Sequence, residues 1–383
     1  MMKLLNICSI GGTSVKKFNG QKKYIATGDI INNEIVSFEY VDFDSKPSRA
    51  NVVINKNDVL FAKMMDTVKV LKANDKNTRN IYSTGFYCIT PNKDVLQDYL
   101  YLYFNSDTFN LQKNKNCSGA TQKAINNDGL KKIEIKQIPS IEDQKMIVKK
   151  LNAIDKLIKI KNSEIDQLNQ LIKSQFVEMF GDPVDNTFNF PMASIGSFCF
   201  VTKLAGFEYS KYIKYKDSGD VIMVRGLNVK NNKLKLDDVY YIDKDVSDSL
   251  PRSQLSVGDI CMTYVGINIG DVALVDNKNN YHLAPNVAKI SLNDKEKFNP
   301  LFFVNLLAYN KRNFATTATN TAKQALNMEK IRNLRVMIPP IELQNKFAMI
   351  VEQIDKQKFV NANLLQLLGK NLKRCYNNII DFR

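Results

Sequence analysis

The motif Ile-Pro-Ser-Ile-Glu-Asp-Gln at residues 138–144 returns 200 residues later, at residues 338–344, as Ile-Pro-Pro-Ile-Glu-Leu-Gln. The segments before the two copies match as well, since residues 121–126 read Thr-Gln-Lys-Ala-Ile-Asn and residues 321–327 read Thr-Ala-Lys-Gln-Ala-Leu-Asn. A repeat of this length predicts one structural plan used twice in the 383-residue chain. The length agrees, because a single hydrophobic core rarely grows beyond about 250–300 residues.

A long amphipathic helix is predicted after each copy of the motif. In the first, apolar residues follow one another in steps of 4, 3, 4, 7, 3 and 4, which is the spacing of a coiled-coil seam. We expect this helix to cover residues 141–180 and to end at Gly181. The seam positions of the two helices are Ile147, Leu151, Ile154, Ile158, Ile165, Leu168 and Ile172, and Phe347, Val351, Ile354, Leu365, Leu368 and Leu372.

A polar residue interrupts both seams at the same place, Lys161 in the first helix and Asn361 in the second. Such a residue either fixes the register of a helix pair or marks a solvated end of the contact. The sequence alone leaves both readings open.

The fold class that follows is α+β, with two β-rich lobes in tandem. We expect the two long helices to pair antiparallel within the chain, with pseudo-twofold symmetry. The predicted domains are residues 1–140, 141–182, 183–338 and 341–383, in the order lobe, spacer helix, lobe, spacer helix. A shorter helix is expected late in each lobe, over residues 95–109 and 300–314. The alternative is that each long helix pairs with another chain.

The net charge of +15 and the pI near 9.3 favour a polyanionic partner, which is DNA, RNA or an anionic membrane surface. The charge is unevenly placed, because residues 141–178 carry +1 and residues 341–383 carry +3, which leaves +11 on the lobes. Two separated polyanion-binding lobes fit this distribution better than a basic coiled coil does. The plain alternative is a lysine- and asparagine-rich composition without a binding role.

The sequence contains no motif for catalysis or metal binding that we recognise. His282 is the sole histidine, which excludes a multi-histidine metal centre within the chain, and we expect it to be structural. Phosphate-binding and nucleophile-elbow motifs are missing. The six cysteines are scattered, as in a cytoplasmic protein with reduced thiols, and no segment is apolar enough to span a membrane.

The order of these motifs resembles the specificity subunit, HsdS, of a type I restriction-modification system. Residues 255–270, with Gly258, Asp259 and Ile260 followed by Gly266 and Gly270, resemble the family's glycine-containing hairpin. Residues 58–63 resemble an alternative form of this hairpin, and residues 176–183 resemble the end of the family's central helix. The first lobe lacks the paired glycines, and Leu343 stands where the first copy of the motif has Asp143.

The resemblance implies that each lobe is a target recognition domain reading one half of a split sequence in double-stranded DNA. The helices would set the gap between the halves, and methyltransferase (M) and restriction (R) subunits would assemble on the chain. The chain itself would be non-catalytic and hold no cofactor, with S-adenosylmethionine on the M subunits and ATP and magnesium on the R subunits. We expect a cytoplasmic protein without membrane contact, monomeric when isolated and present once per complex.

Basic or aromatic residues within or near the repeated loop motifs are the candidates for contact with DNA. They are Lys63, Lys123, Arg225, Tyr264 and Lys323. Each has an alternative role as a solvated surface group, or as core in the case of Tyr264. Gln144 and Gln344 are the candidates for contact with an M subunit, and their alternative role is to cap the helix start locally.

Two other classes of function stay open at this point. A stand-alone nuclease or nucleic-acid-modifying enzyme would need an active site that the motifs do not reveal, with His282 as its one foothold. A coiled-coil scaffold that binds no nucleic acid would leave the net positive charge of the lobes unexplained.

Overall fold

The computed structural model of the chain describes residues 1–294, 296–311 and 325–378. Its packing divides the chain into two units, one formed by Met1–Glu164 with the chain from Asn361 onward, the other by Ile165–Val360. Each unit therefore contains a β-rich lobe and a segment of both long helices. The predicted domain boundaries treat the helices as separate pieces, whereas the packing groups each helix segment with a lobe.

The lobe of the first unit is built from two four-stranded sheets, with strand orders β6-β3-β10-β7 and β2-β11-β8-β9. Three short pairs, β1-β14, β4-β5 and β12-β13, complete it. The strands are β1 (Met2–Lys3), β2 (Cys8–Ile10), β3 (Lys22–Ile25), β4 (Ile30–Ile31), β5 (Glu34–Ile35), β6 (Glu39–Val41), β7 (Ala50–Val52), β8 (Val59–Ala62), β9 (Val70–Lys72), β10 (Ile81–Ser83), β11 (Phe86–Pro91), β12 (Cys117–Ser118), β13 (Ala124–Ile125) and β14 (Glu134–Ile135).

The lobe of the second unit contains a six-stranded sheet, β16-β25-β22-β23-β19-β18, and a four-stranded sheet, β20-β17-β24-β21. A short pair, β15-β26, accompanies them. The strands are β15 (Met192–Ser194), β16 (Cys199–Lys203), β17 (Val221–Val224), β18 (Val229–Lys230), β19 (Asn232–Leu234), β20 (Tyr240–Ile242), β21 (Gln254–Leu255), β22 (Ile260–Thr263), β23 (Val272–Leu274), β24 (Tyr281–Leu283), β25 (Val287–Leu292) and β26 (Arg335–Met337).

Helices fill the remaining parts of both units. No helix among the described residues is long and apolar enough to cross a lipid bilayer. The helices are α1 (Gln97–Asn105), α2 (Asp107–Lys115), α3 (Asn127–Leu130), α4 (Ile141–Phe180), α5 (Gly206–Tyr212), α6 (Lys244–Asp248), α7 (Pro300–Tyr309), α8 (Met328–Asn333) and α9 (Ile341–Asn378).

The predicted helix over residues 95–109 is two helices in the structure. Ser106 lies between α1 and α2 in an extended conformation, and its hydroxyl accepts a hydrogen bond from the backbone of Phe109. A serine in this position caps a new helix rather than continuing the old one. Its counterpart α7 ends at Tyr309, and the rest of the predicted segment, up to 314, lies largely outside the described residues.

The two lobes share one topology, which confirms the predicted duplication. β3 lies between the antiparallel β6 and the parallel β10, and β17 lies between the antiparallel β20 and the parallel β24. The same turn follows both strands. The backbone N–H of Ala26 donates to Asp29 Oδ2 at 2.7 Å, and that of Arg225 donates to Asn228 Oδ1 at 3.1 Å. Ala26 and Arg225 therefore occupy equivalent positions.

The long helix α4 covers the predicted residues 141–180 and ends where the sequence indicates. Gly181 has a φ of +71°, and its N–H donates to the carbonyl of Val177 at 2.8 Å. The left-handed φ of this residue stops the helix at low cost because glycine has no Cβ.

The helices α4 and α9 run antiparallel, as predicted. In the first unit, the late part of α9 packs on the early part of α4, and Asn361 Nδ2 donates to Glu164 Oε2 at 3.2 Å. In the second unit, the early part of α9 packs on the late part of α4, where the ring centroids of Phe347 and Phe176 are 5.4 Å apart. The pairing is therefore made within one chain.

The polar interruption of the seam is a hydrogen-bonded cluster in which Asn361 is buried and Lys161 and Glu164 are partly exposed. Asn361 is 2% exposed, and Glu164, which accepts its hydrogen bond, also forms an ion pair of 2.7 Å with Lys161. A buried asparagine with a single good partner penalises other registers of a helix pair. Of the two readings of the interruption, the structure supports the register-fixing one.

Candidate nucleic-acid interface

Each lobe presents a hairpin that begins with a buried aspartate. Asp58 precedes β8 and accepts a hydrogen bond of 2.7 Å from the backbone of Asn55, and Asp259 precedes β22 and accepts one of 2.7 Å from the backbone of Ser256. Each carboxylate also accepts a side-chain hydroxyl, and the donor to Asp259 is Ser291 at 2.6 Å. The aspartate of the repeated motif is therefore an internal anchor of the hairpin.

The hairpin of the second unit, β22–β23, carries an exposed tip. Gly266 and Gly270 have φ values of +101° and +80°, which glycine adopts without a steric penalty. A Cβ at Gly270 would also lie 3.0 Å from Cγ of Lys311, so this position has little room for a side chain. Between the two glycines, Ile267 is fully exposed.

An open cleft of about 640 Å³ lies beside this tip. We call it the arginine cleft and define it by six of its lining residues, Tyr209, Tyr215, Arg225, Thr263, Ile267 and Asn268. It joins three parts of the second lobe, which are α5 with the segment after it, the turn after β17, and the hairpin tip.

Arg225 is held rigidly at the cleft. Its Nη2 forms an ion pair of 3.0 Å with Asp238 Oδ1 and donates to the carbonyl of Asp238 at 2.7 Å. The guanidinium carbon lies 4.5 Å from the centroid of the Tyr240 ring, which in turn stacks on Tyr215 at 5.2 Å. Aromatic stacking and the double contact leave the guanidinium little freedom.

Two buried polar atoms at the cleft lack a hydrogen-bond partner within the part of the chain that the structure describes. They are Nε of Arg225 and Oγ1 of Thr263. Leaving such a group unsatisfied costs about 1–3 kcal/mol, and unsatisfied buried groups are rare in native proteins. Two hydrogen-bonding groups at the cleft are therefore left without partners by the described chain.

The structure does not bring Tyr264 into the cleft with Arg225. Successive residues of a strand point to opposite faces, so Tyr264 points away from Thr263 and Val265, which line the cleft. Its ring packs against the main hydrophobic core of the second unit, and burial raises the pKa of its hydroxyl. Lys203 lies 5.4 Å from the ring centroid. The alternative that Tyr264 belongs to the core fits this position.

Lys63 and Lys123 come together in the first unit. The N–H of Met65 donates to the carbonyl of Lys123, and the N–H of Ile125 donates to the carbonyl of Lys63, both at 2.9 Å. Lys123 is exposed, whereas Lys63 is half-buried with its Nζ 4.4 Å from the ring centroid of Tyr87. Burial lowers the pKa of Lys63. The two chosen lysines are therefore neighbours at the hairpin of the first lobe.

Lys323 lies outside the described residues. The corresponding segment of the first lobe is the one that carries Lys123. The second lobe makes the equivalent main-chain bridge, because Val265 pairs with Ala325 as Met64 pairs with Ala124.

Sequence reasoning missed the residues that surround Arg225 and one that holds the first hairpin. Lys113 of α2 is 1% exposed and donates to the carbonyl of Thr67 in the hairpin tip, and burial lowers its pKa to about 8. Its neighbour Asn114 donates to Asp66 Oδ1 at 2.7 Å. No spacing signal in the sequence connects α2 with this tip, because the contact depends on how the helix docks.

Gln144 and Gln344 are fully buried, so the prediction that these side chains contact an M subunit is not supported. Gln144 accepts a hydrogen bond from the N–H of Leu96 at 2.8 Å and donates to the carbonyls of Asp94 and Pro139, both at 2.9 Å. Gln344 accepts from the N–H of Asn299 at 3.0 Å and donates to the carbonyl of Pro339 at 2.8 Å.

The two glutamines therefore fasten the start of each long helix to the chain before α1 and α7. The alternative of a local cap at the helix start accounts only for the hydrogen bonds to Pro139 and Pro339. The duplication of the motif reflects architecture, because both copies satisfy the same buried backbone groups.

His282 is fully buried on β24, and its Nδ1 shares a hydrogen bond of 3.0 Å with the hydroxyl of Ser247. Burial lowers its pKa to about 4. Within the described residues, no cluster of three or more metal-ligating side chains surrounds it or any other site. Its position is that of a neutral core residue without access to a macromolecular substrate.

The family model described as the type I restriction modification DNA specificity domain matches residues 1–170 and 191–368. Among curated relatives, the putative type I restriction enzyme MjaX specificity subunit of Methanocaldococcus jannaschii is 23% identical over 91% of this chain and 83% of its own length. The MjaVIII specificity subunit of the same organism is 21% identical over 95% of this chain and 86% of its own length.

Solved structures share the fold. A chain from a structural study of complex assembly and conformational transition of the type I R-M system matches with a TM-score of 0.60 at 16% identity, over 99% of this chain and 96% of its own. The S subunit from M. genitalium matches with a TM-score of 0.57 at 12% identity, over 100% of this chain and 96% of its own. With both lobes matched by the family model, the chain belongs to the family of type I restriction-modification specificity subunits.

Proposed function

We propose that this chain is the non-catalytic subunit that reads a split target in double-stranded DNA, one half with each lobe, in the cytoplasm. The supporting observation is that one scaffold is built twice and carries different chemistry at equivalent positions of its hairpin surface. Thr263 on the hairpin of the second lobe stands where the first lobe has Ala62, and Arg225 beside it stands where the first lobe has Ala26. Two lobes of one topology with different side chains suit two different half-sites.

The charge distribution fits this role. Most of the net charge of +15 belongs to the lobes, and free lysines on a lobe supply phosphate contacts that hold DNA regardless of its sequence. Modification would use S-adenosylmethionine on the M subunits, and cleavage would use ATP and magnesium on the R subunits. This chain would bind none of the three and would be present once per complex.

Loss of the gene is expected to remove one split methylation motif from the genome of the host. Mapping methylated adenines in strains with and without the gene tests this directly. Two short sequences at a fixed separation should be methylated in the first strain and unmethylated in the second. Identical methylation maps from the two strains would contradict the proposal.

We further propose that an M subunit docks on an exposed apolar patch of the helix pair in the first unit. Leu157 and Ile160 of α4 are 46% and 42% exposed, and Leu364 and Leu367 of α9 are 36% and 55% exposed. The contact between Glu164 and Asn361 pairs the segment of α4 that carries Leu157 and Ile160 with the segment of α9 that carries Leu364 and Leu367. Apolar side chains grouped on the exposed surface of a helix pair are typical of a protein-binding surface.

The double substitution Leu157→Asp and Leu367→Asp is expected to abolish co-purification with the M subunit, because it places two carboxylates in an apolar contact. The matched control is Asn152→Asp with Asn363→Asp, which adds the same charge at exposed positions of the same helices. Pull-down with tagged M subunit measures the effect, and circular dichroism checks that both variants keep their helices. Retention of the M subunit by the leucine variant would locate its docking elsewhere.

A further inference from the structure

We propose that the arginine cleft of the second unit reads a guanine, with Arg225 donating to the O6 and N7 acceptors on the major-groove edge of that base. The inference rests on the proposed function, since it concerns how the second lobe reads its half-site. It assigns one base position to one residue, which nothing in the family resemblance does.

The side chain of Arg225 is already fixed in the chain without DNA. The ion pair with Asp238 and the stacking on Tyr240 fix the plane of the guanidinium, and its side chain is only 17% exposed. An arginine that is already ordered loses little conformational freedom when it binds. Planar recognition of two acceptors needs such a positioned fork.

The charge at the cleft favours a base over a phosphate. A phosphate contact works through uncompensated positive charge, and Asp238 compensates that of Arg225 at 3.0 Å. The N–H groups of a paired arginine still donate hydrogen bonds. The ion pair with Asp238 therefore weakens the attraction of Arg225 to a phosphate but does not prevent directional hydrogen bonds to guanine. Guanine is the commonest specific contact of arginine with DNA.

Two buried groups of the cleft have no partner in the described structure, Nε of Arg225 and Oγ1 of Thr263. Both groups can donate a hydrogen bond. A Cβ at Gly226 would lie 3.8 Å from Oγ1 of Thr263, so this hydroxyl faces the backbone directly after Arg225. The site thus holds two donors without an acceptor in the described chain, and guanine presents two acceptors on its major-groove edge.

The first lobe has no equivalent of this site. Strand register aligns Arg225 with Ala26, because equivalent turns follow β17 and β3. It also aligns Tyr240 with Glu39 and Thr263 with Ala62. The first lobe therefore lacks the guanidinium, the ring under it and the hydroxyl beside it. The guanine belongs to the half-site of the second lobe alone.

The test selects targets from a library of DNA duplexes of randomised sequence with the full-length chain in complex with its M subunits. Wild type is compared with Arg225→Ala and with Arg225→Lys, which keeps the charge but removes the planar fork. The control is Lys230→Ala, an exposed lysine of β18 in the same lobe. Binding to the selected target is then measured at several salt concentrations.

Both Arg225 variants are expected to accept any base at one guanine position of one half-site, while the other half-site stays unchanged. Affinity for the wild-type target should fall about 10- to 100-fold, with the salt dependence unaltered. The Lys230→Ala control, which removes one exposed positive charge, should leave the selected sequence of both half-sites unchanged. Preservation of the other half-site shows that the variants are folded.

Two other outcomes separate this inference from the proposed function. If Arg225→Ala leaves both selected half-sites intact and only lowers the salt slope, Arg225 contacts phosphate and the inference is wrong while the proposed function stands. If wild type selects no split sequence at all, the proposed function itself fails.

Discussion

Replacing Phe176 with alanine is expected to lower the free energy of unfolding by about 3–5 kcal/mol, the range for removing a large buried aromatic side chain. Phe176 lies in α4 and is fully buried. Its ring centroid is 5.0 Å from that of Phe180, 4.6 Å from that of Tyr309 in α7, and 5.4 Å from that of Phe347 in α9. One ring therefore joins the spacer helix to its antiparallel partner and to the lobe of the second unit.

Urea unfolding followed by circular dichroism measures this loss. The matched control is Val177→Ala, the next residue of the same helix, which is 47% exposed and should change the unfolding free energy by less than about 1 kcal/mol. Equal effects of the two substitutions would show that the aromatic cluster does not hold the helix to the lobe. If the chain reads a split target as proposed, the spacing between its half-sites would depend on this attachment.

The large-scale order of the fold was readable from the sequence because it depends on periodic patterns. The repeated Ile-Pro motif marks both helix starts, the seam from Ile147 to Ile172 marks the buried face of α4, and Gly181 marks its end. These signals are local in the chain. Burial of an amphipathic face follows from them whatever partner covers it.

The roles of single polar side chains were not readable in the same way. Gln144 and Gln344 recur in an obvious motif, yet both are buried and hold backbone groups about 50 residues earlier in the chain. Repetition alone does not distinguish a side chain that binds a partner from one that satisfies the fold. That distinction needs the three-dimensional environment.

The contacts within the candidate site also could not be predicted from the sequence. Arg225 was selected from the sequence as a basic residue near a repeated loop, but its partners Asp238 and Tyr240 reach it through the pairing of β17 with β20. Thr263 enters the cleft through the alternation of β22. Tyr264, its neighbour, was selected and lies on the opposite face. One residue of register decides between cleft and core, and composition does not reveal it.

The sole histidine gives the second prediction with a large effect, a loss of stability in acid. Burial holds the pKa of His282 at about 4, below its ordinary value of 6.5. Between pH 6.5 and pH 4, His282 is protonated in the unfolded chain but not in the folded chain. The free energy of unfolding therefore falls as the pH falls from 6.5 to 4. The full shift corresponds to about 3 kcal/mol.

The surroundings of His282 explain why its pKa is lowered. Lys289, whose Nζ donates to the carbonyl of Gln254 at 2.7 Å, opposes a second positive charge nearby, while Glu208 favours it more weakly than burial disfavours it. Nε2 of the imidazole has no partner among the described residues, so a proton there would be buried without an acceptor. Protonation therefore requires opening of the strand environment around β24.

Substitution of His282 by isoleucine, the residue at the equivalent position 81 of the first lobe, isolates this contribution from the carboxylates that also titrate in acid. The difference in unfolding free energy between wild type and His282→Ile is expected to shift by about 2 kcal/mol between pH 7 and pH 4.5, with wild type losing more. Urea titrations at four pH values measure it, and Ile81→Val serves as the control without a titrating group. A difference that stays constant with pH would mean that His282 binds a proton equally well in the folded and the unfolded chain, and a neutral buried imidazole would then be the wrong description of this core.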